Sequence, residues 1–131
     1  MIAEQYVDFN TAKMLKKAGF DVPCTSQYTE GKCIWNVGYP DNFNQDEFGY
    51  SRPTQALAAR WLREVYGIMI VSFFDDYMSK WYYVIDGVKK QSVIKCVQSA
   101  SDYDNYEEAI EEGLQEALRL IIKYKDNEQR N

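Results

Sequence analysis

The sequence predicts an α+β domain: an antiparallel three-stranded sheet plus a short hairpin, with about three helices packed on one face. Three observations carry that prediction. Apolar residues recur at helical spacing near the start, middle and end of the chain, at Thr11–Ala18, Leu57–Tyr66 and Tyr106–Ile122. A stretch rich in β-branched and aromatic residues, Ile68–Phe74 followed by Lys80–Ile85, lies between the last two. The strands follow one another instead of alternating with helices, which favours antiparallel pairing with the helices gathered on one face.

Each element has a local reason. In the first helix Ala12, Leu15 and Ala18 share a face with Met14 beside it, and Lys13, Lys16 and Lys17 are expected in water. Asn10 or Asp8 serves as cap, and Gly19 supplies the left-handed stop before Phe20 and Pro23. A hairpin is expected at Gln27–Thr29 and Lys32–Trp35, turning at Glu30-Gly31. Residues 36–50 contain Gly38, Pro40, Asp41, Asn42, Asn44 and Gly49, and read as a long irregular loop. Ser51, before Arg52-Pro53, is expected to open the second helix, whose face is Leu57, Ala58, Trp61, Leu62, Val65 and Tyr66. Gly67 closes it.

Ile68–Phe74 reads as a central strand and Lys80–Ile85 as its neighbour. Asp86-Gly87 marks a tight turn into a third strand, Ser92–Gln98. Asp104, with Glu107 three residues later, forms a capping box for the last helix. Its stripe runs through Tyr106, Ala109, Ile110, Gly113, Leu114, Ala117, Leu118, Ile121 and Ile122. Gly113 on that stripe implies either a close approach to the sheet or simple tolerance. Lys123–Asn131 is polar and is expected to fray.

The 131 residues fit one domain with one core. The chain has no histidine, which removes the commonest general base and zinc ligand. Its formal net charge of -5 argues against nonspecific attraction to nucleic acid or anionic lipid. Apolar runs are far shorter than a membrane span, so no membrane association is expected. Three cysteines without a secretory signal favour a reducing compartment, and the expected location is cytoplasmic. Cys24 lies at the wrong end of a helix for an activated thiol, and Cys96 is expected to be buried in a strand. No cofactor or metal ligand set is read.

Three further groups draw interest. Asp75, Asp76 and Asp86 flank the middle strands, where aspartate normally serves turn chemistry. Asp102, Asp104, Glu107, Glu108, Glu111 and Glu112 form an acidic segment, read as a well-capped wet face or as a surface for a basic partner. The aromatics give the main functional lead. Tyr39, Phe43, Phe48 and Tyr50 lie in the expected loop, and Tyr77, Trp81, Tyr82 and Tyr83 lie around the strand turn. Neighbours along a strand point to opposite faces, so Trp81, Tyr82 and Tyr83 cannot all enter one core. Tyrosine and tryptophan suit interfaces because they join area to a polar handle.

Three stretches, GFDVPC at Gly19–Cys24, PTQALAARWLRE at Pro53–Glu64 and YEEAIEEGLQEALRLI from Tyr106, resemble a family of small uncharacterised proteins. That family occurs in Bacteroides-type bacteria and their phages or mobile elements. The resemblance implies a cytoplasmic, phage-associated or accessory role and brings no catalytic residue.

The expectation is a non-catalytic protein-interaction or structural accessory module whose partner is a protein, possibly a second copy of the chain. One alternative is a small-molecule pocket or weak enzyme under loop 36–50, using Asp75, Asp76 or Arg52. Another is single-stranded nucleic-acid binding on sheet aromatics, which requires a basic groove at Lys80, Lys89, Lys90 and Lys95.

Overall fold

The structure is a computed structural model and describes residues 2–89 and 94–129. Among the described residues it is an α+β fold with three α-helices and two three-stranded antiparallel sheets. The expected hairpin is thus part of a full second sheet, and the helices do not gather on one common sheet. The chain reads as one domain in sequence; its contacts group into two compact units, Met1–Ala58 and Ala59–Asn131.

In the first unit, α1 spans Phe9–Ala18. It begins before the apolar pattern does, because the Asp8 carboxylate accepts the Thr11 N–H at 2.8 Å and caps it there. Gly19 adopts φ 99°. Its N–H donates to Lys16 O, and the Phe20 N–H donates to Leu15 O, a Schellman closure that turns Phe20 into the core.

Strands β1 (Cys24–Thr29), β2 (Ile34–Asp41) and β3 (Gly49–Ser51) form a sheet in the order β2-β1-β3. The turn falls at Glu30-Gly31 as expected, closed by the Lys32 N–H on Thr29 O. The left-handed residue is Lys32, at φ 61°.

Residues 36–50 are not an irregular loop, since they carry most of β2 and the start of β3. The breakers are tolerated because β2 is an edge strand, where a missing amide or side chain costs little. Between the pairs Ser26↔Asn36 and Cys24↔Asp41, β1 advances two residues while β2 advances five, so Gly38 and Pro40 ride in a bulge. The asparagines act as clamps. Asn44 donates from Nδ2 to Phe20 O and accepts the Ser51 N–H, while Asn42 accepts the Asn44 N–H. Ser51 ends β3 instead of opening a helix, and its hydroxyl accepts the Phe43 N–H.

Helix α2 spans Gln55–Trp61, with the Thr54 hydroxyl accepting the Leu57 N–H. Gln55, which opens the helix, is buried, and its N–H donates to Gln5 O at 2.8 Å. A π-helical turn, Leu62–Tyr66, continues α2 to the left-handed Gly67. The wider turn shifts the face by about one residue. Val65 is therefore exposed, although its spacing from Trp61 and Leu62 reads as core.

In the second unit, β4 (Ile68–Asp75), β5 (Lys80–Gly87) and β6 (Val97–Gln98) form a meander in that order. Asp86-Gly87 is not a tight turn, because both residues stay paired with Met69 and Ile68. The third strand is limited to Val97–Gln98; Ser92 and Val93, in the range expected for it, lie outside the described residues.

Helix α3 spans Tyr106–Gln129, so it extends into the segment Lys123–Asn131, of which Arg130 and Asn131 lie outside the described residues. There the Tyr124 hydroxyl meets the Glu128 carboxylate one turn on. Its cap is Asn105, whose side chain accepts the Glu108 N–H, and Glu108 reaches back to the Asp104 N–H. The capping box thus lies one residue later than expected, which frees Asp104 to pair with Lys80. Ala109, Ile110, Gly113, Leu114, Ala117, Leu118 and Ile121 are buried.

Gly113 marks a close approach. A Cβ there would stand 2.8 Å from Ile70 Cγ2 and 3.2 Å from Tyr83 Cγ. Gly113→Ala should therefore lower unfolding stability by about 1 kcal/mol in urea titration, because crowding outweighs the gain in helix propensity. A more stable variant would show that α3 can move off the sheet.

Candidate functional site

The candidate site is the open face of the β2-β1-β3 sheet. The other face lies under α1. There Phe9 meets Tyr28 and Tyr50 edge-on, with ring centroids 5.6 and 5.4 Å away. The Tyr28 hydroxyl donates to Val7 O at 2.7 Å. Arg52 lies 4.1 Å over the Tyr6 ring and donates to the Ser26 hydroxyl, so it is a structural cation here.

Alternation sends the next residues the other way. Gln27 and Thr29 on β1 lie in the middle of the open face, with Trp35, the β2 partner of Gln27, on one side. Gly49 of β3 and the preceding Phe48 lie on the other side. Together with Glu30, Asp46 and Glu47 they line an open concavity of about 640 Å³. Trp35 is 60% exposed and Phe48 59% exposed.

Two residues hold this shape. A Cβ on Gly49 would stand 2.8 Å from Gln27 Oε1 and 3.0 Å from Phe43 O, so only glycine lets that amide lie there. The Lys16 ammonium donates to the carbonyls of Asp46, Gly49 and Glu47 at 2.6, 2.8 and 3.3 Å, and lies 4.8 Å from the Tyr50 ring centre. Lys16, expected in water with Lys13 and Lys17, instead gathers the backbone of the 46–49 segment. It is engaged with carbonyls, and no cation pairs with Glu30, Asp46 or Glu47 among the described residues.

The eight aromatics singled out in the sequence divide equally between the two units. Phe43 is buried, and half-buried Tyr50 packs on Phe9. Tyr39 and Phe48 are exposed; Phe48 lines the concavity. In the second unit Trp81 and Tyr83 share the α3 face, while Tyr82 stacks with Phe73 on the opposite one, centroids 5.6 Å apart. Tyr83 is buried, and burial raises its hydroxyl pKa. Tyr77 is 92% exposed at the β4–β5 turn. Trp35, Gln27, Glu30, Asp46 and Glu47 were missed; period-two alternation through Gln27 and Thr29 was the available signal.

The acidic segment spans the cap and first turns of α3. Asp102, Asp104, Glu107 and Glu108 are exposed, and Glu111 and Glu112 half-buried. Lys80 pairs with Asp104, whose hydrogen bond raises the lysine pKa. Lys89 donates to Glu64 O, so two members of the expected basic groove are engaged; Lys90 lies outside the described residues.

Asp75 does turn chemistry. It accepts the Ser101 hydroxyl and the Tyr77 and Met78 N–H groups, with Ser101 first in lowering its pKa. Asp86 accepts the Gly87 N–H, and Asp76 is exposed. Among the described residues, no group of three acidic or cysteine side chains is placed to hold a metal. Among the described residues, no helix is long and apolar enough to cross a membrane. Comparison with protein families, curated proteins and solved structures finds no match.

All three cysteines are free; Cys24 is buried, whereas Cys33 and Cys96 are exposed. Exposure of Cys96 corrects the expectation of a buried strand position: it precedes a strand of only two residues, Val97–Gln98. Burial raises the Cys24 pKa to about 11, so this thiol stays protonated until the solution is strongly alkaline. A thiol reagent at about pH 8 should modify Cys33 and Cys96 quickly and Cys24 only on unfolding. Fast reaction of Cys24, read by peptide mass spectrometry, would contradict its burial.

Lys16→Met should cost about 1–2 kcal/mol and speed amide exchange across residues 46–50 while α1 stays protected. Unchanged exchange in that segment would show that Lys16 does not organise it.

Proposed function

We propose that the chain is a non-catalytic protein-interaction module that receives an extended segment of a partner protein along β2, by strand addition. One observation carries the reading. Strand β2, eight residues long, is exposed along nearly its whole length. It presents Ile34, Trp35 and Tyr39 at 53, 60 and 58% exposure.

Edge strands are usually protected by lysine, by proline, by a bulge, by shortness or by a covering element. Here the bulge and Pro40 lie beyond Asn36, whereas Ile34–Asn36 is regularly paired, carries no lysine and has no covering strand on its outer edge among the described residues. That regular edge offers main-chain hydrogen bonds, and flanking side chains supply specificity. The reading agrees with the accessory role implied by the sequence resemblance.

A photo-crosslinking residue at Tyr39, introduced in the native host, tests it. The expected result is a crosslink to one continuous segment of a partner protein, with no crosslink from a control position at Lys123. Tyr39→Lys should weaken the isolated complex about tenfold, a loss of ~1.4 kcal/mol. Crosslinks to a second copy alone would make the occupant this same chain. A native complex that forms without crosslinks from β2 would overturn the reading.

A further inference from the structure

The concavity beside β2 has a chemistry of its own. We propose that it receives a cationic side chain, lysine or arginine, from the extended partner segment; this rests on the strand-addition reading above.

The aromatic faces of Trp35 and Phe48 attract cations through their ring quadrupoles. Glu30, Asp46 and Glu47 lie in the same lining, and Gln27 brings an amide oxygen that Gly49 leaves room for. Charge decides among occupants. An apolar side chain would strip water from the carboxylates and return nothing. An acidic segment would be repelled. A second copy adding its own β2 would bring Ile34–Asp41, which holds no lysine or arginine, in a chain of net charge -5.

Register fixes where the cation enters. Trp35 pairs with Gln27, and Ile34 pairs with Tyr28 on the opposite face. A residue added opposite Trp35 sends its side chain to the face that holds the concavity, beside the Trp35 wall that a long cationic side chain must reach across, whereas one opposite Ile34 sends it to the Ile34 side. The occupant is therefore an alternating basic-apolar segment.

The test uses the full chain and three heptapeptides, alternating valine with arginine, with uncharged citrulline or with glutamate. The readouts are the Trp35 indole N–H resonance and the backbone amides of residues 34–37. The arginine peptide should shift both and bind about tenfold or more tightly than the citrulline peptide, with the difference shrinking in salt. The glutamate peptide should bind weakest. Trp35→Leu should narrow the arginine preference while the Trp61 and Trp81 resonances stay in place, which controls for folding. The double variant Asp46→Asn, Glu47→Gln should do the same.

If the citrulline peptide binds as tightly as the arginine one and the strand amides still shift, the cation site is overturned and strand addition stands. If no peptide shifts the strand amides at millimolar concentration, both readings fall.

Discussion

Side chains along a strand alternate, and among the described residues α1 packs on β2-β1-β3 and α3 on the meander. A helix can cover only one face of a sheet. Tyr28 and Tyr50 fall on the α1 side, and Ile70 and Tyr83 fall on the α3 side. Everything one register step away is turned from that helix. Gln27 and Trp35 in one sheet, and Phe73 and Tyr82 in the other, are consequences of this geometry. The concavity needs no separate design for its central residues, because the parity that buries Tyr28 also presents its neighbours.

What does need design is the rim. A segment as short as 46–49 pays conformational entropy to hold Phe48 beside a sheet. Lys16 offsets that by satisfying three carbonyls at once, and the Asn42, Asn44 and Ser51 bonds close the other side. The ammonium sits among carbonyls and against Tyr50, and no cation pairs with the carboxylates of the lining among the described residues. Rigid placement of one aromatic wall is what distinguishes a recess from a greasy surface.

Local signals carried much of the fold. The glycine stops at Gly19 and Gly67, the turn at Glu30-Gly31, the apolar run from Ile68 and the α3 stripe are each encoded within a few residues, and the structure follows them. The failures share a cause. Gly38, Pro40 and Asn42 are breakers in isolation, yet an edge strand with a bulge accepts them, and edge status is set by a partner strand distant in sequence. Ser51 reads as a helix cap until β1 pairs with it. The site was half-legible for the same reason: Phe48 stood out by composition, whereas Trp35 gained meaning only from its register with Gln27.

The π turn at Leu62–Tyr66 amounts to one surplus residue absorbed between Trp61 and β4. Excising a residue there would restore an α-helical count and swing whatever follows by ~100° about the helix axis. Val65 would turn away from water, but Gly67 would no longer deliver Ile68 to its pairing with Gly87. The local irregularity is therefore a phase adjuster: it lets a helix with one periodicity hand the chain over to a strand with another in the correct orientation.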